Sequence, residues 1–172
     1  MILASICMII SQAMEIFNGP TTPSVAINMV AFALFGISIW GLHQQQTKGR
    51  KSTLSLVGTT LLSISALAFV ILSIQIIQAL QAGQVLDFVT SPVYMVAGVC
   101  VSLGTILFGL SIIQINHFPK WTGILLMSIP LINIGTEVLM RTSEVRYYLN
   151  FLLAGILIYM SMMAIRQFQP AH

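Results

Sequence analysis

An all-α, polytopic integral membrane bundle of six transmembrane helices is the fold this sequence predicts, and three observations predict it. Of the 172 residues, 57% are hydrophobic and only 6% are charged, against about 25% charged in a soluble domain. Seven Lys and Arg and four Asp and Glu cannot clothe a water-facing surface on a chain of this length, so lipid must surround most of it. The apolar runs are long and continuous rather than short and alternating, which selects helices over transmembrane strands. Mean hydropathy is +0.95, and residues 1–172 read as a single transmembrane domain with no soluble unit beside it.

The same composition excludes several functions. A net charge of +3 is not a nucleic-acid signal when the few basic residues sit in short loops, where they report orientation in the membrane. The expected partner is the bilayer. Cys7 and Cys100 lie inside apolar runs with no CxxC spacing, so they read as two buried thiols rather than a redox pair. No HExxH, GxSxG or phosphate-cradling glycine loop occurs, and no catalytic residue, metal ligand or cofactor is nominated.

The spans follow in order. Span one covers residues 2–17 and is short for a full crossing. A secretory signal with Ser11-Gln12-Ala13 as its small-residue cleavage site is the competing reading, and the absence of any Lys or Arg before the apolar run speaks against it. Asn18 to Pro23 breaks the chain with a glycine and two prolines. Span two covers 24–42, with Trp40 near its end as an interfacial indole. His43 to Ser52 (HQQQTKGRKS) is the most polar segment and carries Lys48, Arg50 and Lys51. Span three, 53–80, would reach about 42 Å at 1.5 Å per residue, beyond the ~30 Å hydrocarbon core, so it must tilt or project. Its Ser55, Thr59 and Ser63 recur every four positions and suit close packing against a neighbour.

A loop from Gln81 to Ser91 carries Asp87 as its only charge. Pro92 opens span four, 92–115, in which Gly98 and Ser102 make a small-residue pair that marks a packing face. The link from Asn116 to Lys120 is short enough to force a tight antiparallel hairpin with span five, 121–140, whose Pro130 removes a backbone donor. A second short link leads to span six, 147–165, and a polar tail. A faint echo joins spans two and four: Phe35-Gly36-Ile37-Ser38-Ile39 and Phe108-Gly109-Leu110-Ser111-Ile112 each precede a basic link.

Charge sets the expected orientation. If the 43–52 segment is cytoplasmic, that side holds Lys48, Arg50, Lys51, Lys120 and Arg166, and the other holds Arg141 and Arg146. The five-to-two bias places both termini in the cytoplasm of a bacterial-type cytoplasmic membrane.

Span five carries the candidate site. Asn133, Glu137 and Arg141 are each four residues apart and share one helix face. An acid and an amide in a membrane span are costly and call for partners. Glu137 and Arg141 form an acid–base pair in the favourable order, which accounts for them as a local salt bridge or as part of a site for a proton, cation or polar ligand. Glu15 and Gln12 on span one, Asn28 on span two, and Tyr147 and Asn150 on span six are the candidate companions. Glu137 is expected to face the bundle interior, turning Leu125, Ile132 and Leu139 to lipid or a partner subunit. His43 and His117 fall at the same end of their spans, as a haem clamp would need, but no second pair accompanies them, so no haem is expected. Two function classes follow: a small transporter or ligand-binding membrane protein with its polar site in the outer half of span five, or a non-catalytic structural or accessory subunit of a membrane complex.

Overall fold

The computed structural model describes residues 1–47, 52–84, 91–140 and 144–166, the side chains of 134, 136–140 and 144–147 excepted. Six helices run back and forth: α1 (Ile2–Asn18), α2 (Thr22–Thr47), α3 (Thr53–Gln81), α4 (Pro92–Ile115), α5 (Lys120–Met140) and α6 (Glu144–Arg166). Each packs on its successor, and α6 closes back onto α1. The result is a ring of six antiparallel neighbours. The end where α2 gives way to α3 and α4 to α5 carries Lys120 and Arg166, and the sequence of the α2–α3 link adds Lys48, Arg50 and Lys51, five positive charges by sequence. The opposite end carries the helix positions Glu15, Glu137, Glu144 and Arg146, and the sequence of its links adds Asp87 and Arg141, four negative and two positive by sequence. These are called the basic and acidic ends below.

Local chemistry sets the helix boundaries. Gly19, at φ 69, takes the chain out of α1 while its N–H still reaches the Glu15 carbonyl at 3.0 Å. Ser24 Oγ accepts from the Thr21 N–H at 2.9 Å at the start of α2. Ser52 caps α3 by accepting from the Ser55 N–H at 3.2 Å. Pro92 opens α4 where a missing donor costs nothing, and Asn116 ends it in the left-handed region at φ 57. At the far end of the other long hairpin arm, α2 runs to Thr47, past the polar boundary at Leu42 that the sequence suggests. The extra turn and more is held by Thr47 Oγ1 donating to the His43 carbonyl at 2.9 Å, and by Gln46, which folds inward rather than into solvent.

Glycines and small residues decide how closely the helices approach. A Cβ on Gly58 would lie 2.7 Å from the Phe108 nitrogen, and one on Gly104 would lie 3.0 Å from the Leu62 nitrogen, so α3 and α4 touch backbone to backbone. Gly109 and Gly123 do the same for α4 and α5, where a Cβ on Gly123 would meet the Gly109 carbonyl oxygen at 2.6 Å. The α2–α3 seam uses the small residues of α3: Ser55 and Thr59 are fully buried, and Ser63 accepts from Trp40 Nε1 at 2.9 Å. Phe32 and Phe69 stack across the same seam with centroids 4.6 Å apart. Gly98 is not a packing point: a Cβ there would meet nothing within 4 Å. Close contact on α4 falls instead on Gly104 and Gly109, because these face α3 and α5 while Gly98 does not.

The ring is filled along its axis. Phe35 and Ile39 from α2, Leu62 from α3, Phe108 from α4, Leu126 from α5 and Leu157 from α6 meet there and leave a cavity of about 20 Å³. Outward faces are apolar: Ile37, Leu67, Met95 and Val99 are all exposed. Four of the helices are long and apolar enough to cross a membrane by length and composition, and α1 is a shorter apolar helix. The fold is an all-α membrane helical bundle. On α5, Ile132 is exposed as expected, but Leu125 packs against the core, and Ile124 and Leu131 take the outward face with Ile132. Leu139 has its side chain outside the described set.

Candidate functional site

Helix periodicity gives four helices an inward stripe, and each stripe turns polar at the same depth. On α2 it runs Ala31, Phe35, Ile39, Leu42 and Gln46, all buried, and Asn28 continues it one step toward the acidic end. On α1 it runs Ser5, Met8, Gln12 and then Glu15. Thr122, Leu126 and Ile129 carry the stripe of α5, and Asn133 extends it. On α6, Ala164, Ser161, Leu157 and Ala154 lead back to Asn150.

Packing contacts fix how these stripes align. Met8, Ala31 and Ala154 pack as one cluster, tying α1, α2 and α6 together. Gln12, Asn28 and Asn150 each lie three or four residues from that cluster, all in the acidic-end direction. Leu126 and Leu157 both line the central cavity, and Asn133 and Asn150 lie seven residues from them in that same direction. Four carboxamides on four helices therefore share a level within about one helical turn, ~5 Å. Glu15 follows Gln12 by one turn on α1, and Glu137 follows Asn133 by one turn on α5.

Two carbonyl oxygens at this level are buried without donors among the described residues, as Gln46 Oε1 is at the basic end. Gln12 is 6% exposed, and its Oε1 has no hydrogen-bond donor among the described residues. Asn28 is half-buried with its Oδ1 shielded and equally without a donor among them. A buried carbonyl oxygen without a donor costs about 1–3 kcal/mol. Neighbouring Ser11 spends its hydroxyl on the Ser24 carbonyl at 2.9 Å, so it does not serve Gln12.

Of the residues nominated from sequence, Asn133, Glu15 and Asn28 are half-buried on the faces just described. Glu137 lies on α5, but its side chain, like that of Tyr147, is outside the described set, and Arg141 is outside the described residues. Gln12 and Asn150, named from sequence only as companions, belong to the level as fully as Asn28 does. The spacing of buried positions along each stripe is the signal that singles them out.

A second polar group sits at the basic end. His43 Nδ1 is 2.7 Å from Ser55 Oγ, and Gln46 Nε2 donates to Ser111 Oγ at 2.6 Å, which in turn donates to the Phe108 carbonyl at 2.6 Å. Gln46 is 1% exposed and Thr59 fully buried. His117 lies in the α4–α5 link, its ring edge-on to Phe118 with centroids 5.3 Å apart. The bundle is thus polar at both ends of its axis and apolar between them. The sequence placed Gln46 in a solvated loop, and nothing in HQQQTKGRKS distinguishes it from Gln44 and Gln45.

No group of three or more His, Cys, Asp or Glu able to hold a metal ion occurs among the described residues. Comparison of the chain with protein-family models, curated proteins and solved structures finds no match.

Proposed function

We propose that this protein is a small membrane transporter or ligand-binding membrane protein that takes a small polar solute at the acidic end of its helical ring. The site we infer is built from Glu137, Asn133, Arg141, Glu15 and Asn28, with Gln12 and Asn150 completing its floor. One observation carries the reading: Gln12 Oε1 and Asn28 Oδ1 are buried acceptors without donors among the described residues, at the level of two further carboxamides. A bound solute would supply the missing donors. The five-to-two distribution of basic residues supports an acidic end facing outside and both termini in the cytoplasm of a bacterial-type membrane. The solute would enter from outside and rest above the apolar plug.

A second reading, a non-catalytic structural or accessory subunit of a membrane complex, is favoured by that plug. Its cavity of about 20 Å³ has room for roughly one water, so among the described residues apolar side chains close the axis between the two polar ends.

Thermal unfolding of the purified protein against a panel of amino acids, sugars, amines and salts separates the two. Under the first reading at least one class raises Tm, and Glu137→Gln abolishes that rise while leaving the Tm of the free protein unchanged. Under the second, no solute stabilises, and Glu137→Ala and Arg141→Ala lower Tm by similar amounts.

A further inference from the structure

Resting on the outer polar site just described, we propose that its ligand is a singly charged cation held by neutral oxygens, an alkali metal ion or a primary ammonium. Four observations converge on this class. First, the atoms left without donors are the carbonyl ends of Gln12 and Asn28, which accept from a donor or coordinate a cation but give nothing to an anion. Gln12 is more than nine-tenths buried and lies on the inward stripe of α1, so its oxygen is committed to the interior.

Second, the field has the right sign. By sequence, the links and helix positions on the acidic side carry all four Asp and Glu of the chain and two arginines, and the other five Lys and Arg fall on the opposite side. Net charge at the two ends is therefore 2 − 4 = −2 and +5, which sums to the +3 of the whole chain. Low-dielectric walls around the ring focus that field on the axis.

Third, α5 adds an acceptor on the same stripe. Pro130 has no N–H to give the Leu126 carbonyl four residues earlier, so this oxygen lacks its intrahelical donor. Leu126 is 2% exposed and lines the axial cavity, and its carbonyl points along α5 in the direction of Asn133. α5 runs unbroken through Pro130, so the proline removes one donor without unwinding the helix, and a carbonyl oxygen short of its donor is a neutral, hard acceptor of the kind that suits an alkali cation.

Fourth, the donor set excludes other metals. Zinc, copper and iron want imidazole or thiolate, and no such group of three is present among the described residues. Divalent magnesium and calcium take carboxylate oxygens in the first shell to balance their charge, whereas neutral carboxamide and carbonyl oxygens suit a singly charged ion. Glu15 and Glu137, one turn further out, supply the negative charge that balances the bound cation.

The test is thermal unfolding of the full chain in lipid nanodiscs, in the chlorides of sodium, potassium, rubidium, ammonium and methylammonium at equal ionic strength. Choline chloride is the control for ionic strength and magnesium chloride the control for valence. The expected result is a rise in Tm of about 5–10 °C for at least one small cation at a hundredfold excess over its dissociation constant, with no rise in choline or magnesium. Metal ions as the best stabilisers identify an alkali site, and the amines as the best identify an ammonium site. The rise is lost in Gln12→Leu and Asn28→Leu. Gln12→Glu, which keeps the size and polarity of the side chain and guards against a folding failure, moves the half-maximal concentration at least about tenfold lower. Thr60→Ala, on an exposed position of α3, leaves the rise in place. Equal Tm in choline and in every small cation, or an undiminished rise in both leucine variants, overturns the inference. A neutral solute that stabilises where every cation fails overturns it too, yet leaves solute binding at this site standing.

Discussion

Gly58→Ala is the sharpest test of the packing. A Cβ at Gly58 would lie 2.7 Å from the Phe108 nitrogen and 3.1 Å from both the Gly104 oxygen and the Phe108 Cα. All three are backbone atoms of α4, so no side chain can swing away to make room. Ordinary contact begins near 3.4 Å, and 3.4 − 2.7 leaves 0.7 Å by which α3 and α4 must part. A gap of 0.5–1 Å forfeits about a quarter to a half of each dispersion contact along the opened seam. Overpacking of this kind costs about 1–3 kcal/mol. This seam is the most extensive in the ring and leads directly to Phe108 in the axial plug, so we expect the upper half, about 2–3 kcal/mol. At about 2–4 °C per kcal/mol for a chain of this size, Tm should fall by about 4–12 °C. Gly98→Ala is the matched control, on the same pair of helices but with nothing within 4 Å of its Cβ. It should leave Tm unchanged or raise it slightly, since alanine favours a helix over glycine by up to about 1 kcal/mol. Circular dichroism of both variants in one detergent supplies the comparison. Equal Tm for the two would refute the close approach of α3 and α4.

Two further outcomes are expected. Reporter fusions at His172 and within the 85–90 link should give opposite signals, the first cytoplasmic and the second external, and an external C-terminus would reverse the assignment of the two ends. Ser111→Ala removes the acceptor of buried Gln46 Nε2 and should destabilise by about 1–3 kcal/mol. The double variant Gln46→Leu/Ser111→Ala, with no buried amide left to satisfy, should recover much of that loss, and strict additivity of the two single changes in thermal unfolding would refute the coupling.

Architecture was readable from the chain because lipid leaves few alternatives: backbone polar groups must be satisfied within each segment, so long apolar runs become helices. Small residues at fixed spacing were readable too, where a single neighbour reads them, as Ser55, Thr59 and Ser63 show against α2. Gly98 and Ser102 failed as a guide because spacing states which residues share a face and not which helix that face meets. The glycines that do make contact, Gly58 with Phe108 and Gly109 with Gly123, sit on different helices and acquire their meaning only from the crossing. Gln46 escaped notice for a related reason. A glutamine next to two others and a basic run has every mark of a solvated link until Ser111 arrives from 65 residues away. For the candidate site, polarity within apolar runs pointed to Asn28, Asn133 and Glu15, but the shared depth of Gln12, Asn28, Asn133 and Asn150 depends on the α1–α6 closure, which no local pattern encodes.

The shortness of α1 has a consequence for the surrounding bilayer. Its 17 residues rise about 26 Å, while the 29 residues of α3 rise about 44 Å. Met1 begins beside Ser38, its terminal ammonium donating to Ser38 Oγ at 3.0 Å, some nine residues below the end of α2. Above it opens a notch of about 380 Å³ between α2 and α6, walled by Gly41, Gln45 and Ala164. Lipids that meet α3 and lipids that meet α1 therefore face helices of different height on either side of α2. The leaflet at the basic end must thin or dimple at the notch and swell or tilt the bundle at α3, at fractions of a kcal/mol per ångström of mismatch. The molecule is a wedge rather than a cylinder to its membrane, and acyl-chain length becomes a control on how it leans.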